Sequence, residues 1–244
     1  MTMPNELLTP AIKKRITKDW QAAFPALGVY KPMHILKRHG PLLVGIALDR
    51  TITKGVYIPK FHVHNLLSPD SFISLSLIYV VPDKNYPQVK CEIKASKHEQ
   101  DYIWAVNFLK HAMPELDSSS LTFSHFLEMS QDFIRQKRSY AVAKCCVGIF
   151  EDIVLLSFWC GWSDYAKSSL HDAVQIMQTW DWTFDSTSWQ KKMEGLMDLD
   201  KLEKWLDQEI VKHKLGHLPD YGLIKDSPHA PTFAEVYRSV WECK

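Results

Sequence analysis

The sequence predicts an α+β protein: an N-terminal helix and a small antiparallel sheet packed against a larger C-terminal helical body. Three observations predict it. Leu8, Ile12, Ile16, Trp20 and Ala23 fall at helical spacing. From about Pro32 to Ile93 the period changes to two, and after Ser96 it returns to 3.6. Strands kept apart from helices argue for α+β over an alternating α/β arrangement. Eight of the nine tryptophans lie at or beyond Trp104, so the aromatic mass belongs to the helical part. No repeat or low-complexity linker divides the chain. Residues 1–244 are therefore read as a single α+β domain, with a helix plus β-rich layer over 1–95 and a helical body over 96–244.

The elements follow in order. Pro25 and Gly28 end the first helix. Leu42 to Leu48 is a short apolar run, Gly55 to Leu66 alternates, Phe72 to Val81 is rich in β-branched and aromatic residues, and Val89, Cys91 and Ile93 alternate again. Proline, glycine and aspartate between these runs predict a mostly antiparallel meander of three to five strands. Ser96-Lys97-His98-Glu99 has the pattern of a capping box and opens a helix that Pro114 stops. Phe123 to Ile134 marks a second helix. Val142 to Trp159 is apolar on almost every side, which predicts a buried central helix. Ser163 is positioned to cap the next helix, and Gly216 to close the one bearing Leu202, Trp205, Leu206 and Ile210. A second capping box, Thr232 to Glu235, precedes a terminal helix.

Composition bounds the function. Hydrophobic content of 46% and charged content of 23% are those of an ordinary folded protein. A formal charge of +1 carries no electrostatic footprint for nucleic acid. The five cysteines form no CxxC and no zinc-ligand spacing, which predicts reduced thiols in the cytoplasm. Met1 to Pro10 has no apolar core of the signal-peptide kind. Glu151 and Asp152 interrupt the longest apolar run, Cys145 to Gly161, which is shorter than the ~20 residues that span a bilayer. The expectation is a soluble protein with no membrane contact.

Four constellations bear on chemistry. Extended chain from Tyr57 to Leu66 puts His62 and His64 on one face and Phe61, Val63 and Asn65 on the other. Two imidazoles so placed can share a metal if His34, His39 or a carboxylate completes the set, or they can simply be hydrogen-bonded. Second, Asp70 followed by Glu92-Ile93-Lys94 resembles the motif of the restriction-endonuclease-like nucleases. That resemblance implies two carboxylates holding Mg²⁺ and a lysine activating water. Third, Cys160-Gly161-Trp162-Ser163 is only superficially similar to a cysteine-protease signature, and Ser163 is better read as a helix cap. Fourth, Glu151 and Asp152 must be paired if buried. The reading preferred here places them on the one exposed edge of their helix. There is no GxSxG, no HExxH and no phosphate-binding glycine loop, so no cofactor is expected.

The loop from His217 to Pro231 is fifteen residues, longer than most connections in compact domains. It reads as a strap, or as a recognition surface presenting Tyr221, Leu223, Ile224 and His229. These features lead to a non-catalytic partner for another protein, such as an immunity or accessory factor of a bacterial toxin or defence system. The alternative is a metal-dependent hydrolase or nuclease using His62, His64, Asp70, Glu92 and Lys94.

Overall fold

The structure, a computed structural model, describes residues 7–69, 73, 77–136, 143–180 and 184–229, with backbone alone at 136 and 143–146. Its helices and single antiparallel sheet make an α+β fold. The described chain groups into two compact units. The first comprises the chain up to Val63, Ile78–Ser120 and Leu215–Gly222; the second comprises His64–Leu77, Leu121–Lys214 and the chain from Leu223.

The first unit is built on the sheet. Helix α1 (Pro10–Ala23) starts where the Thr9 hydroxyl accepts the Ile12 N–H at 3.3 Å and Pro10 presets the first turn. Ile16, Trp20 and Phe24, four residues apart, are fully buried, each contributing about 1.5–3 kcal/mol through lost apolar exposure. The strands are β1 (Gly28–Lys31), β2 (His34–His39), β3 (Leu42–Arg50), β4 (Val56–Asn65), β5 (Leu77–Val80) and β6 (Ile93–Lys94). They lie in the order β1-β2-β3-β4-β5, with β6 also paired to β4. Sequence reading finds the meander but not β1 and β2 as separate strands. Gly45 is obligatory on β3, because a β-carbon there would lie 2.1 Å from the Ile35 carbonyl oxygen. Helix α2 (His98–Ala112) groups with this unit, although its periodicity alone assigns it to the helical body.

The second unit holds α3 (Phe123–Gln136), α4 (Ala143–Trp159), α5 (Ser163–Gln178), α6 (Ser186–Leu196) and α7 (Leu199–Lys212). Helix α4 packs against the other four, and every residue from Ile149 to Ser157 is buried, as its all-round apolar character predicts. Among the described residues no helix is long and apolar enough to cross a membrane.

Three end signals are corrected. Ser96 caps nothing: a 3₁₀ turn over Ala95–Lys97 intervenes, and α2 begins without a side-chain cap. Ser163 is the first residue of α5, behind Trp162, and makes no cap bond. Helix α7 ends at a left-handed Lys214, with φ 55°, rather than at Gly216. Besides Thr9 on α1, Asp185 and Asp198 cap α6 and α7, accepting from Ser188 N–H and Lys201 N–H. The predicted terminal helix after Thr232, and Phe72 with residues 74–76 of the predicted strand, lie outside the described residues.

Candidate functional site

On the first unit's sheet, His34 stands opposite Ala47 in the β2–β3 ladder. His62 stands on β4, one strand further. The two rings meet: Nε2 to Nε2 is 2.7 Å, with ring centroids 4.8 Å apart. One ring therefore donates its Nε2–H and the other accepts, so the two carry different tautomers. Burial drives the His34 pKa down to about 4, Lys31 pushes the same way, and Asp49 opposes both. Asp49 is itself held by Lys60 at 2.6 Å. Among the described residues no three His, Cys, Asp or Glu side chains gather as a metal would require.

A longer chain of bonds leads in from the surface. The Trp20 indole donates to the Tyr57 hydroxyl at 3.3 Å, and Tyr57 and His98 Nδ1 are 2.6 Å apart. His98 Nε2 meets the Asp19 carboxylate at 3.1 Å. Only one assignment satisfies every group: Nε2–H donates to Asp19, and the Tyr57 O–H donates to Nδ1. An acid, an imidazole and a hydroxyl in series look like a nucleophile relay. Here the hydroxyl is fully buried and both ring nitrogens are occupied. Burial raises the Tyr57 pKa beyond the range of a reactive phenol. It also lowers the His98 pKa, against the pull of Asp19.

The odd-numbered residues of β2 carry a third group. Lys37 is fully buried and donates to the Leu116 carbonyl at 3.1 Å and to the Ser118 carbonyl. Burial lowers its pKa to about 8, with Asp117 and Glu115 acting against the shift. His39 Nδ1 donates to Gly222 O at 3.1 Å, and burial holds its pKa down to about 4. Both side chains serve to hold loop carbonyls.

Hydrogen bonds anchor the segment after α7, the strap. Where β1 runs out along β2, Arg38 N–H bonds Pro219 O at 2.8 Å and Tyr221 N–H bonds Arg38 O at 3.0 Å. Arg38 pairs with Asp220 at 2.6 Å. Gly28 must be glycine for this approach, since a β-carbon would meet the Pro219 ring at 2.9 Å. In the second unit the same segment continues: Ile224 N–H bonds Leu121 O, and Ile224 O accepts Phe123 N–H, both at 2.9 Å. Lys225 lies over the Trp159 ring, 3.7 Å from its centroid. Tyr221 remains 41% exposed and Ile224 51%, while His229 is exposed and Leu223 half-buried.

The other predicted residues disperse. His64 is buried, as His62 is, but groups with the second unit. Glu92 and Lys94 are exposed, and Asp70 lies outside the described residues. Glu151 and Asp152 overturn the exposed-edge reading, since both are buried in α4. The Glu151 carboxylate accepts the Trp189 indole N–H at 3.0 Å and Lys192 Nζ at 2.9 Å. Cys91 and Cys160 are free, buried thiols with pKa values raised by burial to about 11 and about 12. Sequence reasoning missed Asp19, Tyr57 and Lys37 altogether. The one available signal was a lysine directly after the apolar pair Ile35-Leu36. Compared with protein-family models, curated proteins and solved structures, the chain matches none of them.

Proposed function

We propose that this chain is a non-catalytic binding protein for another protein, and that residues 221–229 of the strap provide a contact surface. One observation carries the reading. Tyr221 and Ile224 hold large apolar side chains in solvent on backbone that is already hydrogen-bonded. Anchors fixed before contact lose little conformational entropy on binding, and aromatic or aliphatic groups so placed tend to dominate interface energetics. The titratable clusters favour no competing chemistry: Tyr57 and His98 are spent on each other and on Asp19, and Lys37 on two carbonyls. An immunity or accessory factor of a bacterial toxin or defence system is the kind of role proposed, because it requires contact alone.

The test is photo-cross-linking in the cells that make the protein. A photoreactive amino acid is placed at position 221, 224 or 229, with position 92 as control. The reading expects one dominant protein adduct from the strap positions, weakened when a position-221 probe is combined with Ile224→Ser. Adducts from the strap that match those from position 92 in number and identity would overturn it.

A further inference from the structure

A second surface of the helical unit has a chemistry that the strap does not share. Leu67, Pro69, Leu196, Leu202 and Trp205 line a mostly apolar groove of about 300 Å³. That is at the lower end of ligand clefts, roughly 300–1,000 Å³. Leu67 and Leu202, each 2% exposed, form its floor. The Trp205 indole is fixed in the wall by its bond to Leu66 O at 3.1 Å. Leu196, Pro69 and Trp205 stay half-exposed at the opening.

Charge on α7 is sorted around this groove. Lys201, Lys204, Trp205 and Gln208 follow the i, i+3, i+4, i+7 spacing of one helix face, and all four line it. Asp200, Glu203 and Asp207 repeat at i, i+3, i+7 and come out on the adjacent exposed face, away from it. A solvated helix with mixed charge has no need of such segregation. Among the described residues Lys201 pairs with its own helix cap, Asp198, at 3.0 Å, with side chains 69% and 41% exposed. Pairs this exposed are worth ~0–1 kcal/mol and exchange readily for a better partner.

We propose that this groove receives an acidic amphipathic segment of another protein: a helix whose leucine-like side chains fill the apolar slot while its carboxylates face Lys201 and Lys204. This is helix-in-groove recognition, with the anchors supplying affinity and the lysines selecting charge. The inference rests on the protein-binding reading and adds a separate surface and the chemistry of its partner.

The probe is a fluorescein-labelled helical peptide with leucines at i, i+3, i+4 and i+7 and glutamates elsewhere. Its binding to the full chain is followed by anisotropy, beside a peptide in which lysine replaces every glutamate. The acidic peptide should bind and the basic one should not. Lys204→Glu should weaken binding tenfold or more, whereas Lys84→Glu, the same charge change on the other unit, should leave it unaltered. Trp205→Ala should abolish binding, and if it unfolds the chain, Lys204→Glu on the exposed helix surface still decides the matter. Equal binding of both peptides, equal effects of the two lysine variants, or no binding of either peptide overturns the proposal. So does a wild-type dimer, seen by sedimentation, that Lys204→Glu turns into monomer, since the occupant is then a second copy. None of these outcomes touches the strap, which the cross-links from positions 221 and 224 judge separately.

Discussion

The sheet unit and the helical unit bury titratable groups in opposite ways. In the sheet unit His34, His39, Lys37 and Tyr57 lie inside on β2 and β4, strands buried along nearly their whole length, and His98 is buried at the start of α2. They meet partners far away in sequence: His34 with His62, Tyr57 with His98, His39 with Gly222. In the helical unit α4 is apolar around its circumference, and Glu151 is met by Lys192 and Trp189, which project together from α6 at i and i+3. The sheet neutralises its histidines, while the helices match a carboxylate with a cation. The difference teaches that a strand covered on both faces must place its polar residues across neighbouring strands, whereas a buried helix needs only one stripe of a neighbour.

The helical side of the comparison makes the largest prediction. Ile149 is 1% exposed at the centre of α4, so Ile149→Ala should destabilise the chain by about 2–5 kcal/mol in urea unfolding. A loss under ~0.5 kcal/mol would place α4 at the surface, against the contrast drawn here.

The sheet side should show its hand in acid. The folded pKa of both His34 and His39 is about 4, below the unfolded value near 6.5, so the native state favours the neutral rings. Between those values the unfolded chain binds more protons. The stability these residues contribute is therefore fully present above pH 6.5 and is lost as pH falls toward 4, by up to about 3 kcal/mol for each ring. His98, shifted the same way, adds to the loss. Unfolding free energies measured from pH 7 to 4 should fall accordingly and level off below. A flat profile across that window would remove the claim of neutral buried rings.

Smaller effects sharpen the contrast. Tyr57→Phe keeps the ring but strips the bond partner from both the Trp20 indole and His98 Nδ1, which should cost about 1–3 kcal/mol. Chemical denaturation will read this, and a neutral outcome would mean that the chain of bonds does not hold the sheet unit together. Glu92→Ala combined with Lys94→Ala, on exposed positions, should stay within about 0.5 kcal/mol of the parent. A larger loss would give these residues a structural role that their exposure denies.

Much of this architecture was legible in the sequence, and the reasons differ by element. Helix α4 announced itself because a helix buried on all sides needs apolar residues on all sides. The meander announced itself through alternation and turn residues. Strand β2 did not: His34-Ile-Leu-Lys-Arg-His39 alternates nothing, since both faces are covered and its polar members have distant partners. The caps at Ser96 and Ser163 misled because the pattern records composition, while a cap needs its residue one position before the first helical turn. At the candidate site, sequence reading singled out His62 and Tyr221 and named His34 and His39 only as possible further metal ligands, without their bonds. His34 and His62 are 28 residues apart, and Tyr57 and His98 are 41 apart, separations at which no local pattern can signal contact.

The central claim is that the buried histidines hold the fold rather than perform chemistry. Nitrogen-15 spectra of the imidazole rings, recorded from pH 7.5 to 4 with and without one equivalent of Zn²⁺, test it most directly. The account predicts that His34 and His39 keep neutral-ring signals until below pH 5, that the His34 and His62 rings show different tautomers, and that zinc shifts none of them. Titration of His34 near pH 6.5, or stoichiometric displacement of the His34 and His62 signals by zinc, would contradict the account and restore a metal-dependent hydrolase.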